Sequence, residues 1–265
     1  MNPAPPVPPL HTLRPTTRFS ERAADYARAR PSYPREAIDA VLAGLGDPRS
    51  LAAVDVGAGT GISARLLADR GVRVVAVEPN AAMRDAAEPH PLVTWADATA
   101  ERTGLPARSA DLVLCAQAFH WFRAGEALGE FHRLLRPGGR LALVWNDKDL
   151  ADPFTAAYTR AILEAAEDPA AEKHLQVEAL RTSPLFTGLT ERAFPYRQPL
   201  TRDGIAARAL SASYVPRSGP RLDRLLEALA EAHARFAGPD GLVSLAYRTL
   251  VYLAAPTGPD SGTDR

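Results

Sequence analysis

A glycine-rich segment at residues 55–61, with the sequence Asp-Val-Gly-Ala-Gly-Thr-Gly, most constrains what this chain can fold into. It lies between an apolar run at 51–56 and a helix-like run at 62–69. Glycines at alternate positions let the backbone turn sharply from a strand into a helix, and the missing Cβ atoms let a ligand approach the backbone. The segment therefore predicts a cofactor-binding loop between a strand and a helix.

The class of cofactor does not follow from this loop alone. A dinucleotide fingerprint needs G-x-G-x-x-G, and Ile62 occupies the place of its last glycine. Glu78 follows the apolar run 73–77, where a carboxylate can accept both hydroxyls of an unphosphorylated ribose. NAD would satisfy Glu78 as well, so a nucleotide-dependent dehydrogenase stays a distant alternative.

Short apolar runs alternate with helical patterns through the first half of the chain. Strands are predicted at 51–56, 73–78, 92–95, 111–116 and 139–146, and helices at 62–70, 80–88 and 124–136. Continuous apolar strands are typical of a parallel sheet covered on both faces, which binds ligands at the carboxyl ends of its strands. The glycine loop, Glu78, Asp97 and residues 117–121 would therefore line one rim.

The pattern changes after residue 146. Helical segments are predicted within 153–180, at 201–213 and at 219–236, with strands at 191–198 and 243–254. The proline-rich residues 1–18 are expected to be a disordered or draped arm, and 256–265 a disordered tail. We expect one domain at 19–255.

Composition excludes several classes of protein. The 31 basic residues balance 31 acidic ones and do not cluster, so we expect no nucleic-acid partner. No run approaches the length of a membrane span, and we expect no membrane association. The single cysteine, Cys115, cannot form an internal disulfide, which fits a reducing cytoplasm.

An ordered set of motifs resembles the class I S-adenosylmethionine-dependent methyltransferases. The likeness is greatest to the small-molecule branch that includes trans-aconitate methyltransferase-like proteins. The matching segments are residues 54–61, 77–83, 96–98, 105–106, 109–113, 116–122 and 134–141.

The resemblance implies an α/β fold: a Rossmann-like, seven-stranded, mostly parallel sheet with helices on both faces and an antiparallel last strand. Insertions at about 147–240 would form a helical cap that decides the substrate. The implied cofactor is S-adenosylmethionine, with S-adenosylhomocysteine as product, and no metal is expected because the sulfonium methyl is already electrophilic. The implied cofactor-binding residues are Tyr26, Arg30, Asp55, Gly57, Ala58, Gly59, Gly61, Glu78, Pro79, Met83, Asp97, Ala98 and Gln117.

The resemblance also implies individual roles for these residues. Asp55 would orient the glycine loop or the ammonium group of the cofactor. Asp97 would accept from the adenine amino group, and Gln117 would contact the methionine end. Tyr26 and Arg30 would belong to a lid, in which Arg30 pairs with the methionine carboxylate.

His120 is the candidate catalytic residue, and Phe119, His120 and Trp121 are the candidate substrate contacts. With an ordinary pKa of about 6.5, a histidine can take a proton from a hydroxyl near neutral pH. It can equally hydrogen-bond a substrate carboxylate, or pack against Trp121 in a purely structural role. The three alternatives stay open from the sequence.

The sequence thus predicts a methyltransferase that acts on a small-molecule acceptor, at a carboxylate or hydroxyl oxygen. Methylation of carbon or nitrogen is an alternative. A second alternative is a protein of the same fold that binds the cofactor without transferring the methyl group.

Overall fold

The computed structural model describes residues 29–166, 177–212 and 214–258. At its centre lies a seven-stranded sheet of order β3-β2-β1-β4-β5-β7-β6, in which β7 runs antiparallel to both neighbours and the other pairs are parallel. This confirms the predicted sheet and its antiparallel last strand. The strands are β1 (Ala52–Val56), β2 (Arg73–Val77), β3 (Val93–Ala96), β4 (Ala110–Ala116), β5 (Leu135–Lys148), β6 (Phe186–Leu200) and β7 (Val243–Pro256).

Eight α-helices are described in these ranges. Seven of them follow the predicted order, whereas the helix at Arg35–Leu42 was not predicted. Two strands begin several residues earlier than predicted: β6 at Phe186 instead of residue 191, and β5 at Leu135 instead of residue 139. Leu135 pairs with Ala110 before an irregularity in the register. The helices are α1 (Arg35–Leu42), α2 (Ile62–Ala68), α3 (Ala81–Asp85), α4 (Ala124–Leu134), α5 (Pro153–Ala165), α6 (Val177–Arg181), α7 (Arg202–Leu210) and α8 (Pro220–Phe236).

Alternate residues of each central strand enter two separate cores. Val54 and Val113 belong to the core under α4 and α6, whereas Ala53 and Leu112 belong to the core under α1 and α2. Because successive side chains of a strand point to opposite faces, a central strand with both faces buried is largely apolar, with Asp55 of β1 as a buried exception. This explains why the strand runs lack polar alternation.

The β6–β7 hairpin extends past the end of β5. Lys148, the last residue of β5, pairs with Tyr247, while β7 continues back to Val243 alongside β6. β6 forms the sheet edge, where its Pro195 and Pro199 are tolerated because the outer side of an edge strand needs no ladder hydrogen bond.

Three helices, α5, α7 and α8, form a cap on this extension. Their shared core includes Tyr158, Ile205, Leu229 and Leu245. α5 begins sharply because the Asp152 side chain accepts from the Thr155 amide at 2.8 Å and Pro153 follows it. Within the predicted cap region 147–240, α6 instead packs beside α4 on the sheet.

No helix in the described ranges is long and apolar enough to cross a bilayer. Of the predicted site residues, Tyr26 lies outside the described residues. The predicted arm at 1–18 and most of the tail also lie outside them.

Candidate functional site

The glycine loop joins β1 to α2 at the carboxyl edge of the sheet. Gly57, Gly59 and Gly61 have φ angles of +71°, +58° and +75°, which side chains rarely allow. The amides of Gly57 and Ala58 both donate to the carbonyl of Val77, at 2.9 and 3.1 Å. The loop is thereby fixed to the end of β2, next to Glu78.

The structure explains why position 57 must be a glycine, which the sequence alone did not. A Cβ atom at Gly57 would lie 2.6 Å from the Ala118 Cβ and 2.8 Å from the Phe122 ring. Glycine is required here because the segment after β4 packs directly on the loop. The sequence predicted that a missing Cβ lets a ligand approach. At Gly57, the side chains of Ala118 and Phe122 occupy that place instead.

Glu78 is the central acceptor of the rim. It is 9% exposed, and its Oε2 accepts from the Gly59 amide at 3.0 Å while Oε1 accepts from the Asn80 amide at 2.9 Å. Burial raises the pKa of this carboxyl, and the two amide hydrogen bonds oppose that rise. Because each carboxylate oxygen can accept two hydrogen bonds, the described residues leave one position on each oxygen, which fits the two hydroxyls of a ribose.

Arg84 on α3 holds two of the predicted residues in place. Its Nη1 donates to the Glu78 carbonyl at 2.6 Å, and its Nη2 pairs with Asp97 Oδ2 at 2.9 Å. The Asp97 carboxylate is 68% exposed at the end of β3, open to a ligand from the rim. Sequence reasoning missed Arg84, which lies one residue beyond the motif at 77–83.

Asp55 is fully buried below the loop. Its Oδ2 accepts from the Ser63 hydroxyl at 2.7 Å, which ties the end of β1 to the first turn of α2. Burial raises the pKa of Asp55 to about 7, against the lowering effect of the Ser63 hydrogen bond. Of the two predicted roles, the geometry supports orientation of the loop. Direct contact of the buried Asp55 side chain with the ammonium group of the cofactor stays a prediction.

Gln117 follows β4 in a left-handed conformation, with φ of +56°. A non-glycine residue adopts this conformation only where its surroundings hold it there. The Gln117 amide donates to the Val144 carbonyl at 2.8 Å, and its side-chain Nε2 donates to the Asn146 carbonyl at 3.3 Å. The turn directs the next residue, Ala118, onto Gly57.

His120 lies in a short 3-10 turn, Phe119–Trp121, and is partly exposed. Its Nδ1 lies 3.3 Å from the indole Nε1 of Trp145. Because an indole nitrogen can only donate, Nδ1 must accept, and the neutral imidazole therefore carries its proton on Nε2. In this arrangement Nε2 carries the hydrogen, and the lone pair on Nδ1 that a general base needs is already engaged.

The two neighbours of His120 differ in exposure. Phe119 is fully buried and packs against Phe122 and Phe131, with ring centroids 6.2 and 6.3 Å away. This corrects the prediction that Phe119 contacts substrate, because its side chain belongs to the core over β4. Trp121 is partly exposed, with its ring 5.1 Å from that of His120.

Asn146 connects this rim to the cap. Its Nδ2 donates to the Ser32 carbonyl at 2.9 Å, and its Oδ1 accepts from the Thr249 hydroxyl at 2.6 Å. Two residues before Ser32, Arg30 donates from Nη2 to the Ser211 carbonyl at 3.4 Å. The segment 29–33 therefore crosses the hairpin, from the end of β5 towards α7.

The remaining predicted residues line the same edge. Ala58 and Met83 are buried, while Pro79 and Ala98 are partly exposed beside Glu78 and Asp97. Sequence reasoning placed the end of a strand at Asn146 but did not single out Trp145 or Asn146. In residues 29–166, 177–212 and 214–258, no three His, Cys, Asp or Glu side chains are grouped as metal ligands.

Known proteins share the part of the chain that forms this edge of the sheet. Residues 54–143 match the family described as a methyltransferase domain, which spans β1 through most of β5. An uncharacterized methyltransferase of Mycobacterium tuberculosis is 45% identical over 134 residues, 49% of this chain and 53% of that protein. The chain thus spans about half the length of this relative.

Two further proteins extend the likeness beyond that segment. An uncharacterized methyltransferase-like protein of Schizosaccharomyces pombe is 29% identical over 240 residues, covering 88% of this chain and 93% of its own. The solved structure of a putative type II methyltransferase from Anaeromyxobacter dehalogenans has a TM-score of 0.60 at 24% identity. It covers 85% of this chain and 97% of that one, and it establishes the fold.

Proposed function

We propose that this protein is an S-adenosylmethionine-dependent methyltransferase. Its acceptor would be a small molecule methylated on a carboxylate or hydroxyl oxygen, as in the trans-aconitate methyltransferase-like branch. The observation that carries the proposal is Glu78, which is buried at the end of β2 with an open acceptor position on each oxygen. The match of residues 54–143 to a methyltransferase domain favours this cofactor over NAD.

The cofactor supplies an electrophilic methyl group on a sulfonium, so the protein needs to position the acceptor and exclude water. Glu78 would bind the ribose hydroxyls, and Asp97 would accept from the adenine amino group. Gln117 lies at the end of β4, where it would face the methionine portion. Arg30, from the segment that crosses the hairpin, would pair with the methionine carboxylate.

His120 would orient the acceptor by donating from Nε2. The Trp145 hydrogen bond, which engages Nδ1, supports this role. A carboxylate acceptor needs no base, because it is already deprotonated at neutral pH. The geometry of His120 therefore favours a carboxylate oxygen over a hydroxyl oxygen as the methylated atom.

Ligand-dependent melting tests the cofactor. S-adenosylhomocysteine at 100 times its dissociation constant should stabilise the fold by about 2.7 kcal/mol, whereas NADH should produce no shift. A shift with NADH alone would favour the dehydrogenase alternative. Transfer of a labelled methyl group to any member of a carboxylate panel would separate an active enzyme from a protein that only binds the cofactor.

A further inference from the structure

We infer that the cap contains an anion subsite, centred on Arg208, that binds a carboxylate group of the acceptor. The inference rests on the proposed function for the identity of the acceptor. The subsite itself rests on the surroundings of Arg208 alone.

Arg208 is a buried cation on α7. Its side chain lies inside the cap, and the residue is 7% exposed. Its Nη1 donates to the Ser211 hydroxyl at 3.2 Å, while that hydroxyl donates to the Arg208 carbonyl at 2.7 Å. No residue in the described ranges accepts a hydrogen bond from its buried Nε. The guanidinium thus has donor capacity that the described part of the chain leaves unused.

The groups around Arg208 are hydroxyls. The Tyr247 hydroxyl is hydrogen-bonded to the guanidinium, and Tyr158 and Tyr214 lie close enough to interact with its charge. Among the residues that the structure describes, no carboxylate lies within ion-pair distance of Arg208. Arginine is almost never buried without an anionic partner, because moving an isolated charge out of water is very costly. A bound anion would supply the missing partner.

The position of Arg208 joins the cap to the rim. Its partner Tyr247 pairs with Lys148 at the end of β5, and the next pair of that face is Asn146 with Thr249. Asn146 in turn accepts from the Gln117 side chain at the end of β4. Tyr247 beside Arg208 and Thr249 beside Asn146 are therefore successive residues on one face of β7. An anion at Arg208 would lie next to the predicted methionine end of the cofactor.

Two other cations contact the neighbours of Arg208. Arg30 donates to the carbonyl of Ser211, whose hydroxyl accepts from Arg208. Lys148 Nζ lies 5.8 Å from the centre of the Tyr158 ring. These contacts bring two further basic side chains next to the groups that surround Arg208.

The chemistry of Arg208 favours a carboxylate in particular. A guanidinium presents a planar fork that matches the two oxygens of a carboxylate. A single buried cation balances one negative charge, whereas a phosphoryl group brings nearly two at neutral pH. The acceptor class is therefore a carboxylic acid, and a molecule with a second carboxylate could present one to Arg208 and the other for methylation.

A titration with glutarate tests the subsite. Glutarate is added to the full chain loaded with S-adenosylhomocysteine, at constant ionic strength, and the melting shift gives its affinity. Saturation of the cofactor site removes any binding at the position of the methionine carboxylate. The Arg208→Gln variant should bind glutarate about 10-fold or more weakly, because a hydrogen bond to a charged group is lost.

Two further variants distinguish a loss of the subsite from a loss of overall positive charge and from a loss of folding. Arg202→Gln removes an exposed arginine of the same helix and should leave glutarate affinity unchanged. If Arg208→Gln does not fold, Tyr247→Phe becomes the deciding variant. It removes the hydroxyl that orients Arg208 and should weaken glutarate binding by about threefold or more.

Three results would overturn the subsite: no saturable glutarate response in the wild type, equal affinity in folded Arg208→Gln, or equal losses in Arg202→Gln. Tighter binding of inorganic phosphate than of glutarate would overturn the assignment to carboxylates. Failure of the proposed function looks different. In that case S-adenosylhomocysteine causes no shift, while glutarate added alone still stabilises the protein in an Arg208-dependent way.

Discussion

The rim and the cap bring their functional groups together in different ways. At the rim, the contacts join short motifs at the ends of adjacent parallel strands: Gly59 reaches Glu78 across 19 residues, with the backbone as one partner. Around the cap, the segment 29–33 is held by distant residues: Arg30 contacts Ser211 across 181 residues, and Ala29 contacts Gln198 of β6 across 169. The rim is therefore fixed by the sheet, whereas the cap depends on how distant segments pack.

The rim and the cap also differ in whether the matched domain includes them. The segment matched by the methyltransferase domain, residues 54–143, contains the glycine loop, Glu78, Asp97 and Gln117. The cap helices and the hairpin lie outside it. We infer that the rim serves the shared cofactor and that the cap distinguishes one acceptor from another. The following predictions test this division, from the largest expected effect to the smallest.

Gly57→Ala should affect the rim most. The new Cβ would clash with Ala118 and Phe122 in a left-handed conformation, so unfolding by denaturant should show a loss of about 2–5 kcal/mol. Gly129→Ala is the matched control, because nothing lies near its Cβ in the middle of α4. The control should be more stable than the wild type by about 0.5–1 kcal/mol. A stable Gly57→Ala protein would show that the loop is not packed as described.

Asp55→Asn should change how stability depends on pH. Burial raises the pKa of Asp55 from 3.8 to about 7, so the folded state keeps its proton over a range where the unfolded state has lost it. The wild type should therefore lose about 2–3 kcal/mol of stability between about pH 5 and about pH 7 from this group. The variant keeps the shape but cannot titrate. The difference in unfolding free energy, wild type minus variant, should fall as pH rises through this window, and a pH-independent difference would contradict the prediction.

His120 should have a modest effect on turnover. As an orienting donor, its loss in His120→Ala should lower kcat/KM by about 3- to 10-fold, mostly through KM for the acceptor. Trp145→Phe is compared with it, because this change removes the indole that donates to His120 Nδ1 but keeps the histidine. A loss of about 100-fold in kcat for His120→Ala would instead identify a general base.

The sequence predicted the strands and their order through β5 because each is a continuous apolar run bounded by glycine or a polar turn. It also placed Glu78 and Asp97 at one edge, since the carboxyl ends of parallel strands meet there. It could not assign Phe119 to the core, because a buried ring and a substrate-facing ring look alike in a short aromatic run. Nor could it identify Arg208, whose burial depends on packing between the cap helices and the distant Tyr247.

The division between rim and cap is tested most directly by measuring the affinity of S-adenosylhomocysteine for three proteins by calorimetry. Relative to the wild type, Glu78→Gln should bind it more weakly by about 1.5–3 kcal/mol, because a charge-assisted acceptor for the ribose is lost. Arg208→Gln, which changes only the cap, should bind it with unchanged affinity. Unchanged affinity in folded Glu78→Gln, or equal losses in both variants, would contradict the account.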